Sequence, residues 1–284
     1  MVYVRSKRVK GIDYAYLVKS EWDAASKSPR QQTIKYLGRS ADVELEDIPP
    51  QYREDPKILS FLSEHSPKDL KKKRALVERL RDRLYDSLAS GSVDGACRLY
   101  DESKDVLSLE GFYDKILRPV MHDIGVKWET KQIDVATEHV CTNTAYGLVA
   151  IIEDRIAKKQ NLEKVLMCSP DGEMHALGAS VISSVLKSKG YRVFNAAPSA
   201  PADQVVGYIG DLEPDLIMVS VTLPENLRAA ERLVRRIESK SRAKIVVGGL
   251  ALASGKGSFG SATVLRPQEN SLEDVLRLVR SLTR

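Results

Sequence analysis

At 284 residues, with 43% hydrophobic and 29% charged positions, the chain is long enough for two compact units and a further piece, and apolar enough to bury an ordinary core. Its three cysteines, Cys97, Cys141 and Cys168, are odd in number and far apart, which argues against a disulfide scaffold or a zinc site and for a reducing, cytoplasmic setting. The net charge is only +5, no N-terminal apolar run reads as a signal peptide, and no apolar stretch reaches the roughly 20 residues that span a bilayer, so a soluble chain without a membrane partner is expected.

Residues 1–40 read as strands. The runs VYVRSKRVKG, IDYAYLVKSEW and RQQTIKYLGR are rich in Val and Tyr, and the first two meet at Lys10-Gly11, which predicts a small antiparallel meander. Nine basic residues against three acidic ones between positions 1 and 39 give this segment a charge of +6. That asymmetry implies an anionic partner. Residues 41–67 are acidic, hold four prolines and read as a linker with one short helix.

From 68 to 160 the period is helical. Leu70, Val77, Leu80, Leu84 and Leu88 fall on one stripe, with basic residues, Lys71 to Arg74 among them, on the wet face. Further helical segments at about 92–104, 109–127 and 134–159, joined by short connections, predict a four-helix bundle. From 161 to 284 short apolar strands alternate with helices, which predicts a doubly wound parallel sheet whose ligands sit at the carboxyl ends of the strands. The expected fold is thus multidomain: a β-rich start, a helical bundle and a Rossmann-like α/β unit.

The stretch SPDGEMHALG places Glu173, His175 and Gly178 in the loop after the first of these parallel strands. Alone, the pattern reads as a helix cap with a surface histidine, since three fixed residues recur by chance. The third strand, however, ends in Ser220 and Thr222, and the fourth in Gly248-Gly249, so three motifs fall on one edge of one sheet. Over residues 162–284 this combination resembles the cobalamin-binding fold of methionine synthase, the cobalamin-dependent mutases and the corrinoid methyl carriers, with its D-x-H-x-x-G, S-x-L and glycine-pair motifs. Glu173 stands where the family has Asp, and Thr222 where it has Leu. The resemblance implies His175 as the lower cobalt ligand, oriented by Glu173. It implies a slot for the cofactor's nucleotide tail opened by Gly178, Gly248 and Gly249, with hydroxyls from Ser220 and Thr222.

In the bundle, WETKQIDVATEHV holds Trp128, nine intervening residues, then Glu138-His139. Without the α/β motifs a Trp at a helix end reads as core. Beside them, the spacing resembles the adenosylcobalamin-dependent photoreceptor regulators of the CarH type. There it implies Trp128 capping the adenosyl group, Glu138 accepting from the ribose and His139 lining the pocket. These sensors carry a His immediately after the Trp, and here that position is Glu129, so His139 or His122 would have to substitute.

Two classes of function follow. One is an adenosylcobalamin sensor, light-responsive, whose basic N-terminal domain acts on nucleic acid in transcription regulation. The other is a corrinoid methyl carrier taking methylcobalamin. Neither is an enzyme in its own right, and no catalytic residue is assigned. Residues 1–40 show no helix-turn-helix and resemble an N-terminal segment of some transposases and archaeal proteins. Tyr3, Tyr14, Tyr16 and Tyr36 interleave there with Lys and Arg, which fits nucleic acid, or a solvated β surface that dimerises into a homo-oligomer.

Overall fold

The computed structural model describes residues 2–9, 12–23, 28–40, 43, 45–65, 67–104, 106–156, 162–266 and 271–283. The Lys10-Gly11 turn and the side chains of Leu70 and Lys71 to Arg74 lie outside the described residues. The chain divides into two compact units, Met1–Arg79 and Leu80–Arg284.

The first unit opens with the expected meander of β1 (Val2–Val9), β2 (Ile12–Asp23) and β3 (Ser28–Arg39), antiparallel throughout and in the order β1-β2-β3. Alternation sends Ala15 and Leu17 of β2 to one face, where both are fully buried. Three strands cannot bury that face alone, and the segment read as a linker supplies the cover. It folds into two 3-10 turns and α1 (Pro56–His65), and Val43, Ile48, Ile58, Phe61 and Leu62 pack with Ala15 and Leu17. Its prolines start helical turns, Pro50 and Pro56 each standing first in theirs. The segment is therefore a lid on the sheet and not a free spacer.

In the second unit the four helical segments are α2 (Pro67–Ala89, which begins in the first unit), α3 (Val93–Ser103), the pair α4 (Leu109–Phe112) and α5 (Arg118–Glu129), and α6 (Val135–Ile156). A π-turn at Tyr113–Leu117 joins α4 to α5. Leu80, Leu84 and Leu88 are buried as their stripe requires. Ser92 and Ser108 cap α3 and α4, each accepting from the backbone N–H three residues on. Cys97, Cys141 and Cys168 are buried free thiols.

The remaining chain forms β4 (Lys164–Cys168), α7 (Leu177–Ser188), β5 (Arg192–Asn195), α8 (Ala202–Leu212), β6 (Leu216–Ser220), α9 (Leu227–Glu238), β7 (Lys244–Gly248), β8 (Thr263–Leu265) and α10 (Leu272–Leu282). The strands are parallel in the order β5-β4-β6-β7-β8. The winding reverses between β4 and β6, so the crevice in which such sheets bind ligands opens at the carboxyl ends of these two strands.

Bundle and sheet are latched by specific bonds. The Tyr113 and Ser184 hydroxyls lie 3.0 Å apart, the Lys189 ammonium is 2.7 Å from Glu110, and the Leu272 N–H donates to Asp114 at 2.8 Å. Burial pushes the Tyr113 phenol well above its usual range, so it stays a neutral partner for Ser184.

Backbone sterics decide one position at the sheet edge. Gly249 has φ +124°, and a Cβ there would lie 2.1 Å from the Val221 carbonyl oxygen. Gly249→Ala is expected to lower unfolding free energy by about 3 kcal/mol or more. At Gly178 a Cβ would meet nothing within 4 Å. Gly178→Ala is expected to be neutral or stabilising by up to about 1 kcal/mol. Denaturant titration of the two variants against the parent checks both.

Candidate functional site

The site is built on the loop after β4. Gly172, at φ +83°, turns the chain, and its N–H donates to the Ser199 hydroxyl at 3.0 Å. The next side chain, Glu173, is wholly buried. Its Oε1 accepts the His175 backbone N–H at 3.0 Å and lies 2.9 Å from the His175 Nδ1. Its Oε2 accepts from the backbone N–H groups of Thr222 at 2.8 Å and Leu223 at 3.0 Å, and from the Asn226 amide at 3.0 Å. Burial pushes this carboxyl up, but the N–H groups of Leu223, Asn226, His175 and Thr222 outweigh it and hold the pKa below its ordinary 4.5.

A carboxylate only accepts, so Nδ1 of His175 carries the proton and the lone pair of the neutral ring stands on Nε2. The His175 side chain is 56% exposed, which presents that nitrogen outward on a ring already fixed in orientation. This is the arrangement of a metal-ligating histidine with its carboxylate behind it. The Glu in place of Asp is accommodated: one oxygen faces His175 and the other reaches the β6 loop.

Around it, Ser220 is buried at the end of β6, Thr222 is half-buried, and Gly248 ends β7. A Cβ at Gly248 would meet only Leu265, at 3.7 Å, and at Gly178 nothing, so the chain's own packing demands glycine at neither place. Gly249 differs, because the Val221 backbone already excludes a side chain there. Two buried hydroxyls, Ser169 just past β4 and Ser183 in α7, have no hydrogen-bond partner among the described residues. Room for a side chain at Gly178 and Gly248 and the buried Ser169 hydroxyl at the end of β4 fit a group with a polar buried tail.

On the bundle, Asp134 caps α6 by accepting the Thr137 N–H at 2.7 Å. Glu138 follows one turn later. One of its oxygens lies 2.6 Å from the His139 Nδ1 and the other accepts the Thr142 hydroxyl at 2.7 Å. Trp128 is 47% exposed near the end of α5, and Glu129 and His122 are also exposed. The structure thus brings Glu138 and His139 together, and separately Glu173, His175 and Thr222.

Sequence reasoning missed two residues. Asn226, in a Pro-Glu-Asn turn, carried no signal. Tyr146 of α6 accepts the Ala176 N–H at 3.1 Å, which anchors α6 to the residue after His175. From Glu138 to Tyr146 the helix rises about 12 Å. The interval separates the Glu138-His139 pair from the anchor at the histidine loop.

Glu173 also sets a pH dependence. Its depressed pKa means the carboxylate adds stability that is complete above the ordinary 4.5 and lost as pH falls through the lower folded value. Glu173→Gln is expected to cost about 2 to 4 kcal/mol at pH 7, because it replaces an acceptor ringed by donors. The gap from the parent should close on acidification below pH 4.5. Denaturation curves of both proteins between pH 3 and 7 check it.

Comparison with known proteins agrees with this geometry. Family profiles described as the B12 binding domain match residues 80–153 and 163–276, the bundle and the α/β unit in turn. The chain is 29% identical over 177 residues to the HTH-type transcriptional repressor CarA of Myxococcus xanthus, a match covering 61% of this chain and 59% of that one. It is 20% identical over 178 residues to the dimethylamine corrinoid protein of Methanosarcina barkeri, covering 61% of this chain and 84% of that one. The solved monomethylamine corrinoid protein of Methanosarcina barkeri superposes with a TM-score of 0.59 at 16% identity, over 71% of this chain and 99% of its own, and shares the fold. With a carboxylate-backed histidine at the switch point and both family profiles in register, the chain is a cobalamin-binding protein of the B12-binding-domain family.

Proposed function

We propose that the chain is an adenosylcobalamin sensor, responsive to light, that acts on nucleic acid through its N-terminal unit. The observation that carries this reading is the Glu138-His139-Thr142 cluster at the start of α6, with Trp128 exposed on α5 of the same unit. A methyl group needs no ribose acceptor and no indole cap. Glu138, with lone pairs left on both oxygens, accepts ribose hydroxyls in this reading, and Trp128 covers the adenine side.

His175 would hold the cobalt from below, with Glu173 keeping its ring in place, while Gly178 and Gly248 leave room for the tail and Ser220 and Thr222 offer it hydroxyls. The cofactor supplies a cobalt–carbon bond that light can break. Glu129 cannot serve as the upper imidazole of the photoreceptors. His139 takes that role in preference to His122, because its Nδ1 faces a carboxylate as that of His175 does and its side chain is 69% exposed. The carrier reading draws on a different observation, the match over 84% of the dimethylamine corrinoid protein.

The experiment is the absorption spectrum of the purified protein with adenosylcobalamin in the dark and after green light. The expected dark spectrum is that of a base-off, histidine-ligated cobalamin, lost in His175→Ala. Light should give a stable, protein-bound photoproduct that His139→Ala alters and His122→Ala does not. Glu138→Gln and Trp128→Ala should weaken adenosylcobalamin binding by about tenfold while leaving methylcobalamin binding unchanged. Gly178→Leu should weaken both with thermal stability retained. Binding of methylcobalamin alone would establish the carrier reading, and release of cobalamin on illumination would rule out the photoproduct.

A further inference from the structure

We infer that the outer face of the N-terminal sheet is a stacking platform for single-stranded nucleic acid, which rests on the nucleic-acid reading above and narrows it to one kind of strand. The opposite face is closed by the unit's own lid, with Ala15 and Leu17 in its core. Tyr14 and Tyr16, of the other parity in β2, point away from it, and this alternation ends at the irregularity between Leu17 and the buried Val18. Strand register lines them up in two rows across the sheet, Arg5–Tyr16–Tyr36 and Lys7–Tyr14–Arg39.

The rings make one continuous surface. Tyr36 lies 5.1 Å from Tyr16 and 6.3 Å from Tyr14 between ring centroids, and Tyr36 is 54% exposed. The cations flank them. The Arg5 guanidinium donates to Gln31 at 2.8 Å, and the Gln31 amide donates to the Tyr3 hydroxyl at 2.8 Å. Gln31 is neutral, so it orients Arg5 without cancelling its charge. The nearby carboxylate, Asp13, pairs with Arg8 on the other parity of the sheet.

The chemistry selects the strand. In a duplex the base faces are hidden in the stack, so a duplex-binding surface contacts phosphates and groove edges with cations and hydrogen-bonding groups. The clustered phenol rings, Tyr36 exposed and Tyr14 and Tyr16 half-buried, offer phosphates no more than a hydroxyl hydrogen bond each. They offer π-faces to unpaired bases, while cations on either side track the backbone, and the segment's charge of +6 suits a polyanion.

The test is fluorescence anisotropy of the full chain, with and without adenosylcobalamin, against a labelled mixed-sequence 15-mer, single-stranded and as its duplex. The single strand is expected to bind at least tenfold tighter. Tyr36→Ala and Tyr16→Ala should each weaken it fivefold or more, Tyr36→Phe should not, and Arg5→Ala/Lys7→Ala should weaken both probes and flatten the salt dependence. Circular dichroism melts confirm that the variants fold. Equal or tighter duplex binding, insensitive to the tyrosines, would overturn the platform and leave the nucleic-acid reading standing. Binding of neither probe would remove both.

Discussion

The loop after β4 depends on a buried carboxylate held by N–H donors. Glu173 is made affordable by donors: three backbone N–H groups, one amide and an imidazole converge on two oxygens. The donors come from the loops after β4 and β6, so the carboxylate ties together the two strands that flank the switch point. The same bonds that satisfy its charge therefore aim His175 and fix the entrance to the crevice. The orientation of the His175 ring is settled by folding, so anything that bound to it would meet a ring already in place.

The bundle is joined to this arrangement from several sides. Tyr146 meets the backbone next to His175, Tyr113 meets Ser184 on α7, and Asp114 meets the start of α10. A change at the Glu138-His139 end of α6 and a change at the His175 loop are thus two ends of one helix-borne connection. Each region carries a histidine whose Nδ1 faces a glutamate, His139 with its side chain 69% exposed and His175 with its side chain 56% exposed.

The α/β unit was legible because each of its signals is local: short apolar strands, alternating helices, and three motifs at strand ends. The bundle was legible from period alone, and its short loops left little room for another topology. Asn226 was not legible, since an asparagine in a turn has many uses and its bond to Glu173 spans 53 positions. Tyr146 hid for the same reason within an apolar helix. Within the glycine pair, Gly249 is pressed by Val221 while a Cβ at Gly248 would meet only Leu265, a distinction visible only once the backbone is placed. At 41–67 the one short helix was legible, with Ile58, Phe61 and Leu62 at helical spacing, but its role as a lid was not, because acidic residues and prolines dominate the segment and Val43 and Ile48 stand alone among them.

That lid has a consequence for how such proteins diversify. The apolar cluster of the first unit draws all its described members from between Val2 and Leu62, and none from the bundle or the α/β unit. A head whose described apolar core closes on its own residues can change there without altering the residues that form the core of the α/β unit, which closes on its own as well.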